Sequence, residues 1–156
     1  MANNLRRNTQ HYRHEPHNEI IGDCYRTAIS CLLGLQTHEV PHFEQMRYFG
    51  QTDNINRTVR QWLAGRGYNI VNFFVPEFQG EFGDFNREWN PGTYFLLSGR
   101  SPRIDADHVV IAAQDRIVWD PAPRHFKGWG TLAGPCSNGF YQLEYIVPLI
   151  GDPIDG

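Results

Sequence analysis

A cysteine at the predicted start of a helix has the clearest potential for chemistry in this sequence. Cys24 follows Asp23, a favourable N-cap residue, and the apolar segment after it ends at Gly34, a favourable helix terminator. The unpaired N–H groups and partial positive charge of a helix N-terminus favour the nucleophilic thiolate and can stabilise an oxyanion. The Asp23 carboxylate opposes a neighbouring anion. The alternative is that Cys24 is a small buried residue in a core helix.

A histidine and an aspartate later in the chain are candidate partners for this thiol. His108 and Asp120 are twelve residues apart, in segments 108–112 and 116–120 that are predicted to form the two strands of a hairpin. An even separation places both on one face only if the loop has an odd number of residues, such as 113–115, or if a β-bulge interrupts a strand. The side chains are then direct cross-strand neighbours, with Cβ atoms about 5 Å apart.

The form of this hairpin decides whether His108 can act as a general base. A buried histidine beside a carboxylate has a fixed orientation and tautomer, as a base that serves a thiol requires. A two-residue turn at Gln114-Asp115 without a bulge would place His108 opposite Pro121, and Asp120 on the other face. The alternative to catalysis is a satisfied core histidine, with Asp120 capping the turn before Pro121.

Helices are predicted early in the chain and strands later. The helical segments are 24–33, a short turn that begins at Thr37, and the amphipathic segment 55–64. The strand segments are 68–75, 94–97, the two hairpin strands and 140–147. Loops are predicted over 44–54, 76–92 and 124–138. The aromatic residues of 76–92, together with Trp129, are candidate walls of a substrate cleft. Helices followed by mostly antiparallel strands indicate an α+β fold.

Composition limits the class of protein. The 156 residues suit one domain, for which we expect a polar arm over 1–21, the domain itself over 22–150 and a tail over 151–156. A net charge of −3 without a basic run argues against nucleic-acid binding, and no apolar run is long enough to span a membrane. The three cysteines are an odd, sparse set and no signal peptide is recognisable, so we expect reduced thiols in the cytoplasm.

The N-terminal arm contains three histidines at three-residue spacing, His11, His14 and His17. Such a series suggests a metal site. Pro16 and the lack of apolar periodicity argue against one helix that presents all three rings to an ion, so surface or loop-anchoring roles are favoured. We therefore predict no metal and no cofactor.

A set of short segments distributed along the chain forms a recognisable combination. The segments are Gly22-Asp23-Cys24, Arg26-Thr27-Ala28-Ile29, Leu32-Leu33-Gly34, Val40-Pro41-His42-Phe43, Ser101-Pro102-Arg103, His108-Val109-Val110, Val118-Trp119-Asp120-Pro121 and Tyr145-Ile146-Val147-Pro148. Together they resemble a family of small papain-like cysteine peptidases, many of them phage-encoded, over about residues 10–148. The resemblance implies a papain-like fold, in which an N-terminal central helix packs on an antiparallel sheet. It also implies Cys24 as nucleophile, His108 as base and Asp120 as the residue that orients the base.

The resemblance also implies a second oxyanion donor upstream of the cysteine, usually Gln or Asn. Asn18 lies six residues before Cys24, a spacing similar to that of papain and of related bacteriocin-processing peptidases, which have Gln there. Gln10 is of the usual type but lies fourteen residues before Cys24, so it can reach the site only if the arm folds back. Gln10 and Asn18 are both candidates for the oxyanion hole.

The function implied by the resemblance is hydrolysis of an amide, peptide or isopeptide bond through a thioester intermediate, in a protein, a peptide or a small amide. If the chain is phage-encoded, the compartment is the host cytoplasm. Acyl transfer to an amine and deamidation of glutamine are alternatives that use the same triad. A further alternative is a binding or structural protein that has the scaffold without turnover. The sequence does not indicate an oligomeric state.

Overall fold

The computed structural model of the chain describes residues 5–151, which form helices packed on an antiparallel sheet. The helices are α1 (Cys24–Leu33), α2 (Phe43–Tyr48), α3 (Ile55–Ala64) and α4 (Gly80–Trp89). The strands are β1 (Tyr68–Val75), β2 (Tyr94–Arg100), β3 (Asp107–Ala113), β4 (Arg116–Trp119) and β5 (Tyr141–Pro148). The predicted α+β class is confirmed. Residues 1–4 of the predicted arm and 152–156 of the predicted tail lie outside the described residues.

The five strands form one sheet in the order β1-β5-β2-β3-β4, and every neighbouring pair is antiparallel. The last strand, β5, therefore lies between β1 and β2. Leu143 of β5 is fully buried and pairs with Phe73 of β1 on one side and with Leu97 of β2 on the other. The sheet thus depends on contacts between distant parts of the chain, because β5, the last strand, joins β1 to β2.

Both faces of the sheet are covered at β2 and β3. Successive residues of a strand point to opposite faces, and β2 and β3 follow this alternation with apolar residues on both sides. Leu96 and Ile111 pack in the cluster that includes α1, α2 and α3. Leu97 and Val110 pack on the other side with Phe82 of α4. The candidate site lies where the first residues of β3 meet the start of α1.

Helix α1 packs against β2 and β3 near the middle of the sheet. Its buried residues are Thr27, Ala28, Ile29, Ser30 and Cys31. The two buried hydroxyls are satisfied by the preceding turn, because Thr27 Oγ1 donates to Asp23 O at 2.7 Å and Ser30 Oγ donates to Thr27 O at 2.6 Å. Gly34 ends the helix with a φ of 71°, as predicted.

The prediction of a loop over 76–92 is wrong, because α4 occupies most of this segment. Glycine favours a loop by composition, but Gly83 permits a close approach: a Cβ at this position would lie 2.7 Å from the Cβ of Asp115. Next to this contact, Asn86 Nδ2 donates to Gln114 O at 2.8 Å. The helix is therefore docked on the β3–β4 turn through tertiary contacts that local composition does not reveal.

The predicted loop over 44–54 also contains a helix, α2. His42 caps it, because its Nδ1 accepts from Gln45 N at 3.3 Å. Phe43 is only 1% exposed and anchors the first turn in the core. The short helical turn that was predicted to begin at Thr37 is a 3-10 turn over Thr37–Glu39.

The β3–β4 hairpin combines a two-residue turn with a bulge. Ala113 pairs with Arg116, which leaves two residues in the turn. Further along, Ile111 pairs with Trp119 after a register shift, so one residue of β4, Val118, has no partner of its own. The extra residue reverses the face on which every later residue of the second strand lies.

This bulge places His108 and Asp120 on the same face. Their spacing required either a loop with an odd number of residues or a bulge, and the structure has the bulge. Continuing the register beyond β4 puts Asp120 opposite Val110 rather than opposite His108. The two side chains are therefore diagonal neighbours, and the expectation of direct cross-strand neighbours is wrong. The long histidine side chain spans the diagonal.

The N-terminal arm is fastened across the domain by hydrogen bonds. Trp119 Nε1 donates to Asn8 O at 2.8 Å, and Gln10 N donates to Pro121 O at 2.7 Å. The arm therefore runs beside the end of the hairpin before it reaches α1. This route brings the arm over the start of α1. Gln10 was expected to reach the cysteine only if the arm folds back in this way.

Candidate active site

A buried histidine–aspartate pair forms the centre of the candidate site. His108 Nε2 lies 2.7 Å from Asp120 Oδ1, and the two residues are 5% and 0% exposed. The carboxylate also accepts from two backbone amides, Ala122 N at 2.9 Å and Gly130 N at 2.8 Å. The loop after β4 thus fixes the carboxylate, and the carboxylate fixes the imidazole ring.

The charge state of Asp120 follows from these contacts. Burial by itself raises the pKa of a carboxyl group. Here the hydrogen bond and charge of His108, together with the amides of Ala122 and Gly130, outweigh burial and lower the pKa of Asp120 below its usual value. Asp120 is therefore ionised at neutral pH.

The His108 ring lies between Asp120 and Cys24. Burial alone would lower its pKa, but hydrogen bonds to Asp120 and to Cys24, together with the charges of both groups, raise it to about 9. The ring is thus an imidazolium at neutral pH. Because Nε2 faces Asp120, Nδ1 is the ring nitrogen that remains for the thiol of Cys24.

Two sources of positive charge meet at Cys24. It is the first residue of α1, where the helix N-terminus supplies partial positive charge, and its free thiol is half-buried. It also interacts with the His108 imidazolium, and a cation beside a thiol favours the thiolate. The helix and the hairpin therefore each contribute positive charge at the same sulfur.

Asp23 has a different role from the one predicted. It occupies the N-cap position, but its side chain makes no capping hydrogen bond. Instead, Oδ1 accepts from His11 N at 3.0 Å and from Tyr12 N at 2.9 Å, while Oδ2 pairs with Arg26 Nε at 3.1 Å. Asp23 therefore fastens the arm over the start of α1, and Arg26 balances its charge. The first amides of the helix are left free of this side chain.

A cleft of about 860 Å³ opens at the thiol. Both Cys24 and His108 line it, together with Gln10 from the arm, Phe126 from the loop after β4 and Glu144 from β5. Cys24, His108 and three other parts of the chain therefore face one space. Its volume is in the range of sites that hold small molecules or a few residues of a peptide.

The residues that were predicted as aromatic walls lie elsewhere. The segment 76–92 does not line the cleft, and Phe82 of α4 packs against the cluster that holds Leu97 and Val110 instead. Trp129 does not line it either. Its ring packs edge-on against Trp119 with centroids 5.5 Å apart, and its Nε1 donates to Ala122 O at 2.8 Å. Trp129 therefore supports the loop that holds Asp120.

The structure distinguishes the two oxyanion candidates by position. Gln10 lines the cleft, and its Nε2 donates to Tyr12 O at 2.7 Å. An amide nitrogen has two donors, so one N–H remains. Its buried Oε1 has no partner within residues 5–151. Asn18 is exposed, donates to Glu15 Oε2 at 3.3 Å and does not line the cleft. The structure thus brings Gln10, and not Asn18, to the cleft that Cys24 lines.

Sequence reasoning missed a buried acid in the same cleft. Glu144 is 6% exposed and accepts from Tyr25 Oη at 2.8 Å. Burial raises the pKa of Glu144 to about 7, although the Tyr25 hydrogen bond lowers it. The sequence contains a signal for this acid. Glu144 and Ile146 lie two residues apart and so share one face of a predicted strand, and an acid is unusual on a face that packs in the core.

The histidine series of the arm does not assemble into a cluster. His14 Nδ1 accepts from Gly22 N at 3.2 Å, so this ring anchors the turn before α1. Over residues 5–151, no group of three or more His, Cys, Asp or Glu side chains is arranged to hold a metal ion.

Comparison with known proteins identifies no relative. No protein-family model matches the chain, and searches of curated proteins and of solved structures gave no significant match. Within the described part of the chain, no helix is long and apolar enough to cross a membrane. A functional assignment therefore depends on the geometry of the cleft.

Proposed function

We propose that this protein is a cysteine hydrolase that cleaves an amide, peptide or isopeptide bond. The observation that carries the proposal is the buried His108–Asp120 pair beside Cys24 at the N-terminus of α1, inside a cleft. A nucleophile, a base and a residue that orients the base are the parts that thiol-based acyl chemistry needs. A helix that carries the nucleophile and an antiparallel sheet that carries the other two residues are compatible with the papain-like fold that the sequence resembles.

The proposed reaction begins with attack of the Cys24 thiolate on the carbonyl carbon. The oxyanion that forms accepts from the backbone N–H of Cys24 and from the free N–H of the Gln10 amide. The His108 imidazolium then gives the Nδ1 proton to the leaving amine as the C–N bond breaks, which leaves a thioester. Neutral His108 takes a proton from water, the hydroxide oxygen attacks the thioester, and the thiolate leaves.

Asp120 supports both halves of this cycle without touching the substrate. Its negative charge, held by two amides and by the ring, keeps His108 oriented and favours the protonated state that donates to the leaving amine. Three free thiols suit a reducing compartment, so we propose that the reaction takes place in the cytoplasm.

Alkylation of the cysteines tests the proposal without knowledge of the substrate. Burial raises the pKa of both Cys31 and Cys136 to about 11, so these thiols are internal references in the same chain. Iodoacetamide at neutral pH should modify Cys24 at least about tenfold faster than it modifies free cysteine, and far faster than either reference, because the thiolate is the reacting form. The sites are measured by mass spectrometry of proteolytic fragments.

The base is tested with a matched pair of histidine variants. His108→Ala should slow the alkylation of Cys24 by about tenfold or more, because the adjacent cation is lost. His38→Ala is the control, since His38 is exposed on the 3-10 turn and lies outside the cleft. Alkylation of Cys24 that is no faster than that of free cysteine, or no effect of His108→Ala, would contradict the proposal and favour a non-catalytic protein.

A further inference from the structure

Three cations converge at the cleft from three separate segments of the chain. Arg13 belongs to the arm, Arg103 to the loop between β2 and β3, and Lys127 to the loop after β4, and all three line the cleft. The guanidinium carbons of Arg13 and Arg103 lie 4.5 and 5.8 Å from the centre of the Phe126 ring. Arg103 Nη1 also donates to Lys127 O at 3.1 Å. We call Arg13, Arg103, Lys127 and the neighbouring Phe126 the cationic cluster.

The carboxylates that line the cleft in the described part of the chain, those of Glu44, Asp107 and Glu144, form no ion pair with this cluster. Within residues 5–151, none of its three cations forms an ion pair, whereas Arg47, the other arginine that lines the cleft, pairs with Glu44. The protein as a whole has a net charge of −3. The cluster is therefore a local feature of the cleft and not part of a generally basic surface.

The loop that carries Phe126 and Lys127 is tied directly to the candidate triad. The Asp120 carboxylate accepts from Ala122 N and from Gly130 N, which flank this part of the loop on either side. The carboxylate that orients the base thus also holds both ends of the loop. Phe126 and Lys127 therefore have a fixed position relative to His108.

The second loop is held against the first by close packing. At Gly128, where φ is 73°, a Cβ atom would lie 2.8 Å from Cγ of Pro102. Glycine thus allows the two loops to touch at the residues beside Lys127 and Arg103. A site built on loops that are packed together loses little conformational entropy when it binds a ligand.

Arg13 is positioned by the arm. The preceding residue, Tyr12, donates its N–H to Asp23 Oδ1 at 2.9 Å, and Gln10 N donates to Pro121 O at 2.7 Å. These bonds fasten the arm at the start of α1 and at the start of the loop after β4. The same bonds therefore bring Gln10 to the cleft and Arg13 to Phe126.

We propose that the cationic cluster binds carboxylate groups of the substrate, so that the enzyme acts on acidic peptide segments; this inference rests on the proposed hydrolase function. Guanidinium groups present a planar fork of donors that matches a carboxylate, and stacking on Phe126 holds two of them in place. The cluster favours a peptide over a nucleic acid, because Phe126 already contacts Arg13 and Arg103 and does not offer a free ring for base stacking.

The inference is tested by binding to the Cys24→Ala protein, which cannot turn over a peptide. The probes are fluorescein-labelled tetraglutamate and tetraglutamine peptides and a thymidine oligonucleotide of the same length, measured by fluorescence anisotropy. Tetraglutamate should bind at least about tenfold more tightly than tetraglutamine, and the difference should decrease with added salt. Arg13→Gln combined with Arg103→Gln should abolish the difference.

Arg116→Gln is the matched control, because Arg116 is exposed on β4 and lies outside the cleft. It should leave the preference for tetraglutamate intact. The lysine versions of the two cluster substitutions keep the charge and should retain part of the preference, which a purely structural role for the arginines would not give. Circular dichroism and urea unfolding of each variant confirm that the fold is retained.

Three results would overturn the inference. These are equal binding of the two peptides, tighter binding of the oligonucleotide than of tetraglutamate, and equal loss of preference in Arg116→Gln. Failure of the proposed function is a separate result, since it is read from the alkylation of Cys24 in the wild-type protein. If the protein binds tetraglutamate but Cys24 is unreactive, the result supports an acidic ligand and contradicts the proposed hydrolase function.

Discussion

Cys24 and Cys31 lie seven residues apart on the same helix and have opposite environments. Cys24 begins α1, is half-buried in the cleft and interacts with His108. Cys31 is 0% exposed, and its Sγ lies 3.4 Å from Asn8 N, which donates to it. Burial raises the pKa of Cys31 to about 11. Two thiols on one helix therefore differ because of the elements that pack around them.

The partners of each thiol come from different distances along the chain. Asn8 is a residue of the arm, and it places its backbone against Cys31. His108 comes from the second half of the chain, on a strand whose partner carries a bulge. Helix α1 places Cys24 at its N-terminus, and the hairpin adds the positive charge of the His108 imidazolium. If Cys24 is the proposed nucleophile, the contribution of the hairpin can be removed by substitution while α1 stays intact.

The largest effect is expected when the hairpin loses its charge. Asp120→Asn keeps the size of the side chain but removes the carboxylate that, together with Cys24, raises the pKa of His108 to about 9. The contribution of Asp120 is then lost while burial still lowers the pKa, so the pKa of His108 should fall by more than about one pH unit. NMR titration of the histidine ring signals measures this fall. Alkylation of Cys24 at neutral pH should slow about tenfold, while Cys31 stays unreactive.

Asp105→Asn is the control for this substitution. Asp105 is exposed and pairs with Arg100, away from the His108 ring. The control should leave both the titration of His108 and the alkylation of Cys24 unchanged. An unchanged His108 titration in Asp120→Asn would contradict the idea that the hairpin carboxylate controls the site.

The pH dependence of stability is a second test of the charge on the hairpin. The pKa of His108 is about 9 in the folded protein and about 6.5 in the unfolded chain. Its contribution to the free energy of unfolding is therefore complete below about pH 6.5 and is lost as the pH rises through about 9. A pKa difference of one between the folded and unfolded chains corresponds to about 1.4 kcal/mol of stability. Urea unfolding of the wild type should show this loss, and Asp120→Asn should show much less of it.

The sequence was informative about α1 and the strands, because their signals are local. Gly34 closes α1 as its conformational freedom predicts, and the apolar runs of the strands mark their positions. The types of the candidate site residues were also readable, since few combinations supply a nucleophile, a base and a carboxylate. Their roles in catalysis stay predictions that the alkylation test addresses.

The features that the sequence did not reveal all depend on contacts between distant segments. The bulge at Val118 is a property of strand pairing, and spacing alone left it as one of two arrangements. Gly83 favours a loop in isolation but lies in α4, where it allows contact with the hairpin turn. Asp23 is of a residue type that caps helices, yet it binds amides of the arm. The cationic cluster was equally hidden, because its members are far apart in sequence.

A third prediction concerns the buried thiol of the comparison. Asn8 Nδ2 donates to Ser30 Oγ and to Leu35 O, both at 2.8 Å, and so fastens the arm to the second half of α1. Asn8→Ala should lower the free energy of unfolding by about 1–2 kcal/mol, since a part-buried carbonyl loses its donor. It should also speed the alkylation of Cys31 through local opening while leaving Cys24 dominant. Urea unfolding and mass spectrometry measure the two effects, and unchanged stability would contradict this role.

The smallest effect is expected at the end of α1. Gly34→Ala forces a Cβ into a φ of 71° but meets no atom within 4 Å, so only backbone strain of about 1 kcal/mol is expected. Gly65→Ala at the end of α3 is the matched control, because its φ of −62° suits alanine and its Cβ would lie 3.5 Å from Trp62 O, an ordinary contact. The control should be neutral or slightly stabilising.

The pair of glycine variants separates strain at a helix end from the general cost of adding a methyl group. Strain at Gly34 weakens the end of α1 nearer Cys31, so Gly34→Ala should expose Cys31 to alkylation slightly more often and leave Cys24 at its wild-type rate. The rate at each thiol is measured in the same digest. Equal changes at both cysteines would mean that α1 opens as one unit, and the two ends would then differ only in their partners and not in their local stability.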